Sequence, residues 1–280
     1  MRFGVNTFIW SGSFDPKVIP LEAIRRQGID GIEVPCFDPQ DFDVAGVLQA
    51  QKDFGLGCTI CAVNPPGLNP TSDDAGVRSR SIEHWKRVAD TASRAGIRLV
   101  AGPIYSPVGY LPGRRRTAEE WRWGVEFLRA VDPALRDNDV TFAVEPLNRF
   151  ETYYLNTAAE AVRLVEEVAS PRVGILFDTF HANIEEKEVG AAYLHCGKRL
   201  AHVHACENDR GIPGTGHVDW PGVFAALGAI GYDGWLTIES FNGHLPELAR
   251  ATAIWRDLAP SLDAIAFEGA AFLKKMVGAA

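Results

Sequence analysis

Residues Thr157 to Asp178, TAAEAVRLVEEVASPRVGILFD, decide how the rest of the chain is read. Thr157-Ala158-Ala159-Glu160 has the spacing of a capping box, in which the threonine and the glutamate three residues on satisfy backbone N–H groups at a helix start. Apolar residues then recur at helical spacing, which predicts a helix over 157–168. Val173-Gly174-Ile175-Leu176-Phe177-Asp178 follows as a short apolar run that predicts a strand ending on a carboxylate.

Outward from this unit, the alternation continues in both directions. Strand-like runs are Phe3 to Thr7, Gly31 to Pro35, Cys58 to Val63, Ile97 to Ala101, Val140 to Glu145, Val173 to Asp178, Leu200 to Ala205 and Trp235 to Glu239, eight in all. Helical segments separate them: Pro20 to Arg26, Val44 to Phe54, Val77 to Ala95, Ala118 to Arg136, Thr157 to Val168, Glu185 to Leu194 and Pro221 to Leu227. Pro246 to Leu258 and Leu262 to Met276 close the chain. Gly28, Gly96 and Gly231 fall where a helix gives way to a strand. Eight β/α repeats without a Gly/Ser/Pro-rich linker predict one domain over residues 1–280, a single (β/α)8 TIM barrel of the α/β class, rather than two doubly wound sheets. The long segment Gly102 to Thr117 after the fourth strand is expected over the barrel mouth. Its Arg114-Arg115-Arg116 run reads as a solvated loop, with a phosphate grip as the alternative.

Composition narrows the function. With 28 Lys+Arg against 36 Asp+Glu the formal net charge is −8, which argues against a polyphosphate-binding surface and hence against a nucleic-acid partner. At 46% hydrophobic and 23% charged residues the chain has the makings of a sizeable core. No apolar stretch is long enough for a membrane span, and Met1 to Thr7 lacks the pattern of a signal peptide, so a cytoplasmic location is expected. Five cysteines, an odd and scattered set, are expected as reduced thiols. Cys58-Thr59-Ile60-Cys61 lies on a strand, where residues three apart face opposite ways; it reads as two buried thiols rather than a redox pair.

A TIM barrel builds its active site at the carboxyl ends of its strands. Strands five to eight end at Glu145, Asp178, His204 and Glu239. Three carboxylates packed together repel one another unless a cation lies among them, so this set predicts a divalent metal site. Oxygen donors with one nitrogen and no thiolate suit Mn²⁺, Mg²⁺ or Co²⁺ better than a closed structural zinc site. Glu151, His181 and Arg210 follow the same strands and are candidates for holding substrate oxygens or the ligands. His202 shares a strand face with His204 one layer deeper and reads as a hydrogen-bonded supporting residue. His217 reads as structural or solvent-facing, and His84, His195 and His244 receive no role.

Taken together, Glu145-Pro146-Leu147-Asn148-Arg149-Phe150-Glu151, Asp178-Thr179-Phe180-His181-Ala182-Asn183-Ile184-Glu185-Glu186, His202 to Arg210 and Ile238-Glu239-Ser240-Phe241 resemble the ketose 3-epimerases, the D-tagatose and D-allulose 3-epimerase family. The resemblance implies a xylose isomerase-like barrel holding one divalent ion per subunit, commonly Mn²⁺ or Co²⁺, through Glu145, Asp178, His204 and Glu239. It further implies that Glu145 and Glu239 act as the acid/base pair, and that Glu151, His181 and Arg210 bind the O1 to O3 end of a free ketose. A homodimer or homotetramer is expected. Near the first strand many family members have an aromatic where this chain has Asn6, and the Tyr105 to Gly109 loop varies, which leaves the preferred ketose open.

The expected chemistry is inversion at C3 through an enediolate, with one carboxylate on each face of the sugar. An aldose–ketose isomerase or a sugar-phosphate epimerase on the same barrel is the alternative, and a sugar-binding protein the non-enzyme alternative. A multi-zinc nuclease is disfavoured by the charge and the ligand set.

Overall fold

A computed structural model describes residues 1–279 and forms a closed barrel of eight parallel strands in sequence order. The strands are β1 (Arg2–Asn6), β2 (Gly31–Pro35), β3 (Gly57–Cys61), β4 (Leu99–Gly102), β5 (Thr141–Val144), β6 (Val173–Asp178), β7 (Leu200–His204) and β8 (Trp235–Ile238). β8 pairs back onto β1, with Phe3 opposite Leu236, which closes the sheet and removes its edges.

Among the described residues ten α-helices connect and cover the strands: α1 (Leu21–Arg26), α2 (Val44–Phe54), α3 (Ala75–Arg94), α4 (Ala118–Asn138), α5 (Ala158–Val168), α6 (Thr179–Glu185), α7 (Val189–Cys196), α8 (Trp220–Ile230), α9 (Pro246–Thr252) and α10 (Leu262–Ala279). Their apolar faces meet the outward-pointing strand residues in one continuous core that includes Ile32, Val34, Ile60, Trp85, Leu128, Phe142, Phe177 and Leu236. Each fully buried side chain of this size contributes about 1.5–3 kcal/mol relative to exposure, so the core dominates stability.

The predicted alternation holds, and three expectations are corrected. The helix expected over 185–194 runs over Val189–Cys196, and an unexpected helix precedes it, because Asp178 Oδ1 accepts the Phe180 N–H at 2.8 Å and starts α6 directly at the end of β6. The closing helix expected to reach Leu258 stops at Thr252, where Ala253 takes a left-handed conformation with φ of 55°. At Thr157 only half of the capping box forms. The hydroxyl accepts the Glu160 N–H, but the Glu160 carboxylate accepts from Asn156 N and pairs with Arg116. A complete box occurs instead at Thr117 and Glu120, starting α4.

Inside the barrel, strand periodicity divides the lining into two halves. Ala101, Ala143 and Leu176 form an apolar cluster on the β4–β6 side, whereas Asn6, Glu33, Thr59, His202 and His204 form a buried polar column between β1–β3 and β7. The Trp235 ring packs against the amino ends of β2 and β3: a Cβ at Gly31 would come within 2.5 Å of it and one at Gly57 within 2.8 Å, so only glycine fits at either place.

Candidate active site and metal centre

The strand ends bring Glu145, Asp178, His204 and Glu239 together, with one donor atom of each within 4.8 Å of the others, and all four are buried. His204 Nδ1 lies 3.3 Å from Glu239 Oε1 and 3.9 Å from Glu145 Oε1. Asp178 spends one oxygen on the start of α6, and that same helix places His181 one turn on, its Nε2 3.7 Å from Asp178 Oδ2 and 3.6 Å from Glu145 Oε1.

Arg210 arrives from the loop after β7. Its Nη1 donates to Glu239 Oε2 at 2.7 Å and lies 3.5 Å from Asp178 Oδ2, while its guanidinium stacks on Phe180 and Phe241. The backbone here is left-handed, with φ of 63° at Arg210, a conformation that costs of order 1–3 kcal/mol for a non-glycine residue. Two contacts hold it. Ser240 Oγ donates to Arg210 O, and the buried Glu207 accepts from Gly214 N, Val218 N and Trp220 Nε1, fixing the loop from within.

Asn148 N–H donates to His181 Nδ1 at 3.1 Å, so the neutral ring carries its hydrogen on Nε2. Burial, and then the Arg210 charge, push the His181 pKa well below its ordinary value. Arg210 Nη2 approaches this Nε2 to 3.3 Å. Two hydrogen-bond donors thus point into the same space, where a ligand oxygen could accept from both. Glu151 sits further out on the cavity wall, its carboxylate accepting from Asn148 Nδ2 at 2.8 Å. The signature segments are also tied to each other, since the Arg149 guanidinium grips Glu185 with two parallel bonds of 3.0 and 2.8 Å.

Electrostatics and orphaned atoms both test whether this cluster fits a cation. Without one, burial and the Glu239 charge push Glu145 well above the usual carboxylate range, and burial raises Asp178 to about 6. Burial acts upward on Glu239 too, but His204 and Arg210 outweigh it and hold that carboxyl at about 2. Asp178 Oδ2 and His204 Nδ1 are buried with no hydrogen-bond partner. Burial acts downward on His204, but Glu239 and Glu33 outweigh it and hold its pKa well above the ordinary value, so the ring is the cation that faces these carboxylates. With that proton released, His204 Nδ1 and Asp178 Oδ2 are buried acceptors aimed into a ring of carboxylates, the chemistry of a divalent cation site. A neighbouring group, Glu33 with His202 and His204, has similar spacing, but its atoms are already bonded to one another.

Glu145 and Glu239 of the cluster, with His181 and Arg210, line a cavity of about 160 Å³ walled by Phe8, Phe37, Val108, Phe241 and Leu248. Phe8 supplies an aromatic at the mouth two residues after Asn6, whose own side chain turns inward to Glu33 at 3.0 Å. The segment after β4 lies on the mouth as expected, with Gly109 N donating to Glu151 O at 2.7 Å. Arg114 and Arg116 do not reach the cavity: they pair with Glu120 and Glu160, and Arg116 stacks on Trp121. All five cysteines are free and buried, with Cys61 on the cavity wall. His217, His195 and His244 are exposed, whereas His84 is buried on α3.

Glu33 escaped the reading of strand ends. It stands mid-strand in β2, flanked by Ile32 and Val34 and in register with Asn6 and Thr59, and that lone acid in an apolar strand was the available signal.

A family model described as a xylose isomerase-like TIM barrel matches residues 21–276. A "Probable ketose 3-epimerase" of Synechocystis sp. is 38% identical over 98% of this chain and 96% of its own length. An "L-ribulose 3-epimerase" of Mesorhizobium japonicum is 34% identical over 97% of this chain and 93% of its own. The crystal structure of D-allulose 3-epimerase from Methylomonas sp. in complex with D-allulose superposes with a TM-score of 0.93 at 29% identity, covering 99% of this chain and 97% of that one.

Proposed function

Because the chain belongs to the xylose isomerase-like TIM barrel family, and within it to the ketose 3-epimerases, we propose that it interconverts free ketoses at C3 in a metal-dependent reaction. It is an enzyme of the isomerase class. Pairs such as D-fructose and D-allulose, D-tagatose and D-sorbose, or L-ribulose and L-xylulose are the substrate class. The observation that carries this reading is the buried ring of Glu145, Asp178, His204 and Glu239, two of its atoms without a hydrogen-bond partner and two of its carboxylates lining the mouth cavity.

These four residues would hold one divalent ion, Mn²⁺ first, with Co²⁺ or Mg²⁺ as further candidates. When bound, such an ion supplies Lewis acidity, polarising ketose oxygens and stabilising negative charge by several kcal/mol. The remaining work falls to side chains of this chain. The C3 hydrogen lies beside the C2 carbonyl, so its removal sends the C–H bonding pair into an enediolate. One of Glu145 and Glu239 takes that proton as a carboxylate, and the other, entering as the carboxylic acid, returns a proton to the opposite face of C3. After a turnover the two have exchanged protonation states, which is the state from which the reverse reaction starts. The His181 Nε2–H and the Arg210 guanidinium offer donors to ketose oxygens near C3, and Glu151 offers an acceptor to a hydroxyl. The apolar walls limit water at the reacting carbon.

The test is to incubate chelator-treated protein with D-fructose, D-tagatose or L-ribulose in D₂O, with and without Mn²⁺, Co²⁺ or Mg²⁺. Deuterium incorporated at C3 only when an ion is supplied is the expected result. Incorporation at C1 would assign an aldose–ketose isomerase, and ion-independent turnover would remove the metal from the scheme. Comparing free with phosphorylated ketoses addresses the sugar-phosphate alternative, which loses support because Arg114 and Arg116 are engaged within the protein.

Phe150 and Trp255, at 71% and 73% exposed, flank the mouth as large apolar side chains, which supports a homodimer or homotetramer. Light scattering should return a multiple of 30.6 kDa, and a monomer would exclude it. Unpaired, buried thiols support a reducing, cytoplasmic setting. Among the described residues no helix is long and apolar enough to cross a membrane.

A further inference from the structure

We infer that Glu33 is a positioning residue that selects the tautomer of His204 and so keeps its Nδ1 lone pair open to the metal cluster. The inference rests on the proposed metal-dependent reading of the site, and it concerns a mid-strand residue of β2 outside the four candidate ligands.

Glu33 is completely buried, and four donors surround its carboxylate. Asn6 Nδ2 at 3.0 Å and His204 Nε2 at 2.7 Å face Oε1, and Thr59 Oγ1 at 2.9 Å and His202 Nε2 at 2.8 Å face Oε2. An ionised carboxylate has about four acceptor positions and no hydrogen to give, so each of these contacts fixes a hydrogen on the partner. His204 must therefore carry its hydrogen on Nε2. In the neutral ring the other nitrogen is then bare, and Nδ1 is the buried, unpartnered atom that faces Glu239 and Glu145.

The surroundings leave the ring little choice. His204 is fully buried, so water offers no substitute acceptor, and its neighbour His202 is oriented by the same carboxylate. If Glu33 were lost, Nε2–H would face no acceptor, and the ring could gain a bond only by moving its hydrogen to Nδ1, towards Glu239. That move removes the nitrogen donor from the cluster. Supporting partners of this kind typically change metal affinity about 10- to 100-fold when removed.

The experiment compares Glu33→Leu with Thr59→Val in the full chain. Thr59→Val deletes one bond to Glu33 while leaving His204 untouched, so it reports what loss of buried hydrogen bonding alone does. Mn²⁺ affinity is read by competition with a chelating dye, alongside thermal melting of the ion-free proteins. The expected result is at least tenfold weaker Mn²⁺ binding in Glu33→Leu and a change within twofold in Thr59→Val, even where both melt at lower temperature. Wild-type binding of Mn²⁺ with Glu33→Leu binding equally well overturns this inference alone. Absence of Mn²⁺ binding in the wild type overturns the proposed function with it.

A measurement on the unmodified protein covers the case in which Glu33→Leu does not fold. In ¹⁵N-histidine-labelled wild type loaded with diamagnetic Mg²⁺, the His204 signals, identified by their loss in His204→Asn, should show a protonated Nε2 and an unprotonated Nδ1. The opposite assignment overturns the inference.

Discussion

Glu239 divides its two oxygens between different neighbours: Oε2 accepts from Arg210 Nη1 at 2.7 Å, while Oε1 lies 3.3 Å from His204 Nδ1. A carboxylate that both helps hold a cation and handles a proton needs this separation, because the oxygen facing the cation is a poor base. Glu239 and Arg210 both line the cavity.

Replacing either acid/base candidate should therefore remove turnover while leaving the fold intact. Glu145→Gln and Glu239→Gln are each expected to lower kcat by about 10²- to 10⁴-fold, as chromatography of a ketose equilibration would record. Near-normal kcat in either variant would sink the two-carboxylate scheme.

Arg210 is expected to act chiefly in binding and orientation. A lost hydrogen bond from a charged donor is worth about 1.5–3 kcal/mol, so Arg210→Ala should lower kcat/KM by roughly 10- to 150-fold, with KM raised. Unchanged steady-state constants would remove Arg210 from the site.

Stability at acid pH should depend on Glu120. Its bonds to Arg114, with the Thr117 backbone and Tyr153 assisting, outweigh burial and hold its carboxyl at about 2. A carboxyl depressed in the folded state stabilises the protein above its unfolded pKa of about 4.3, and the benefit fades as pH falls towards the folded value. Glu120→Gln should accordingly melt below wild type at pH 7, and the gap should close between about pH 4.3 and 2. A gap independent of pH would show that the carboxylate charge contributes nothing there.

Thiol chemistry offers a further check. Burial pushes Cys36 and Cys196 up to about 12, and raises Cys58, Cys61 and Cys206 as well. A thiolate-selective disulfide reagent should react slowly with the native protein and should titrate five thiols in guanidinium. Rapid reaction of native Cys58 and Cys61 as a pair would revive the redox reading of Cys58-Thr59-Ile60-Cys61.

Much of this architecture was readable before any fold was in view, for a geometric reason. A strand buried on both faces must be apolar, so a polar residue that ends it stands out, and a barrel carries every such end to the same rim. Glu145, Asp178, His204 and Glu239 were marked out in this way, although they lie on four different strands.

Folding in three dimensions settled what no local pattern encodes. Helix α6 was missed because its start depends on the spare oxygen of Asp178 rather than on a periodic apolar face. Glu160 could have completed either of two arrangements, and the arrival of Arg116 from 44 residues away chose one. Glu33 acquires its role only where β2 closes against β1 and β3 and faces β7 across the barrel, so that Asn6, Thr59, His202 and His204 meet it. Apolar periodicity is written residue by residue along the chain, whereas the hydrogen-bond partner of a buried charge comes from another strand and exists only once the barrel has closed.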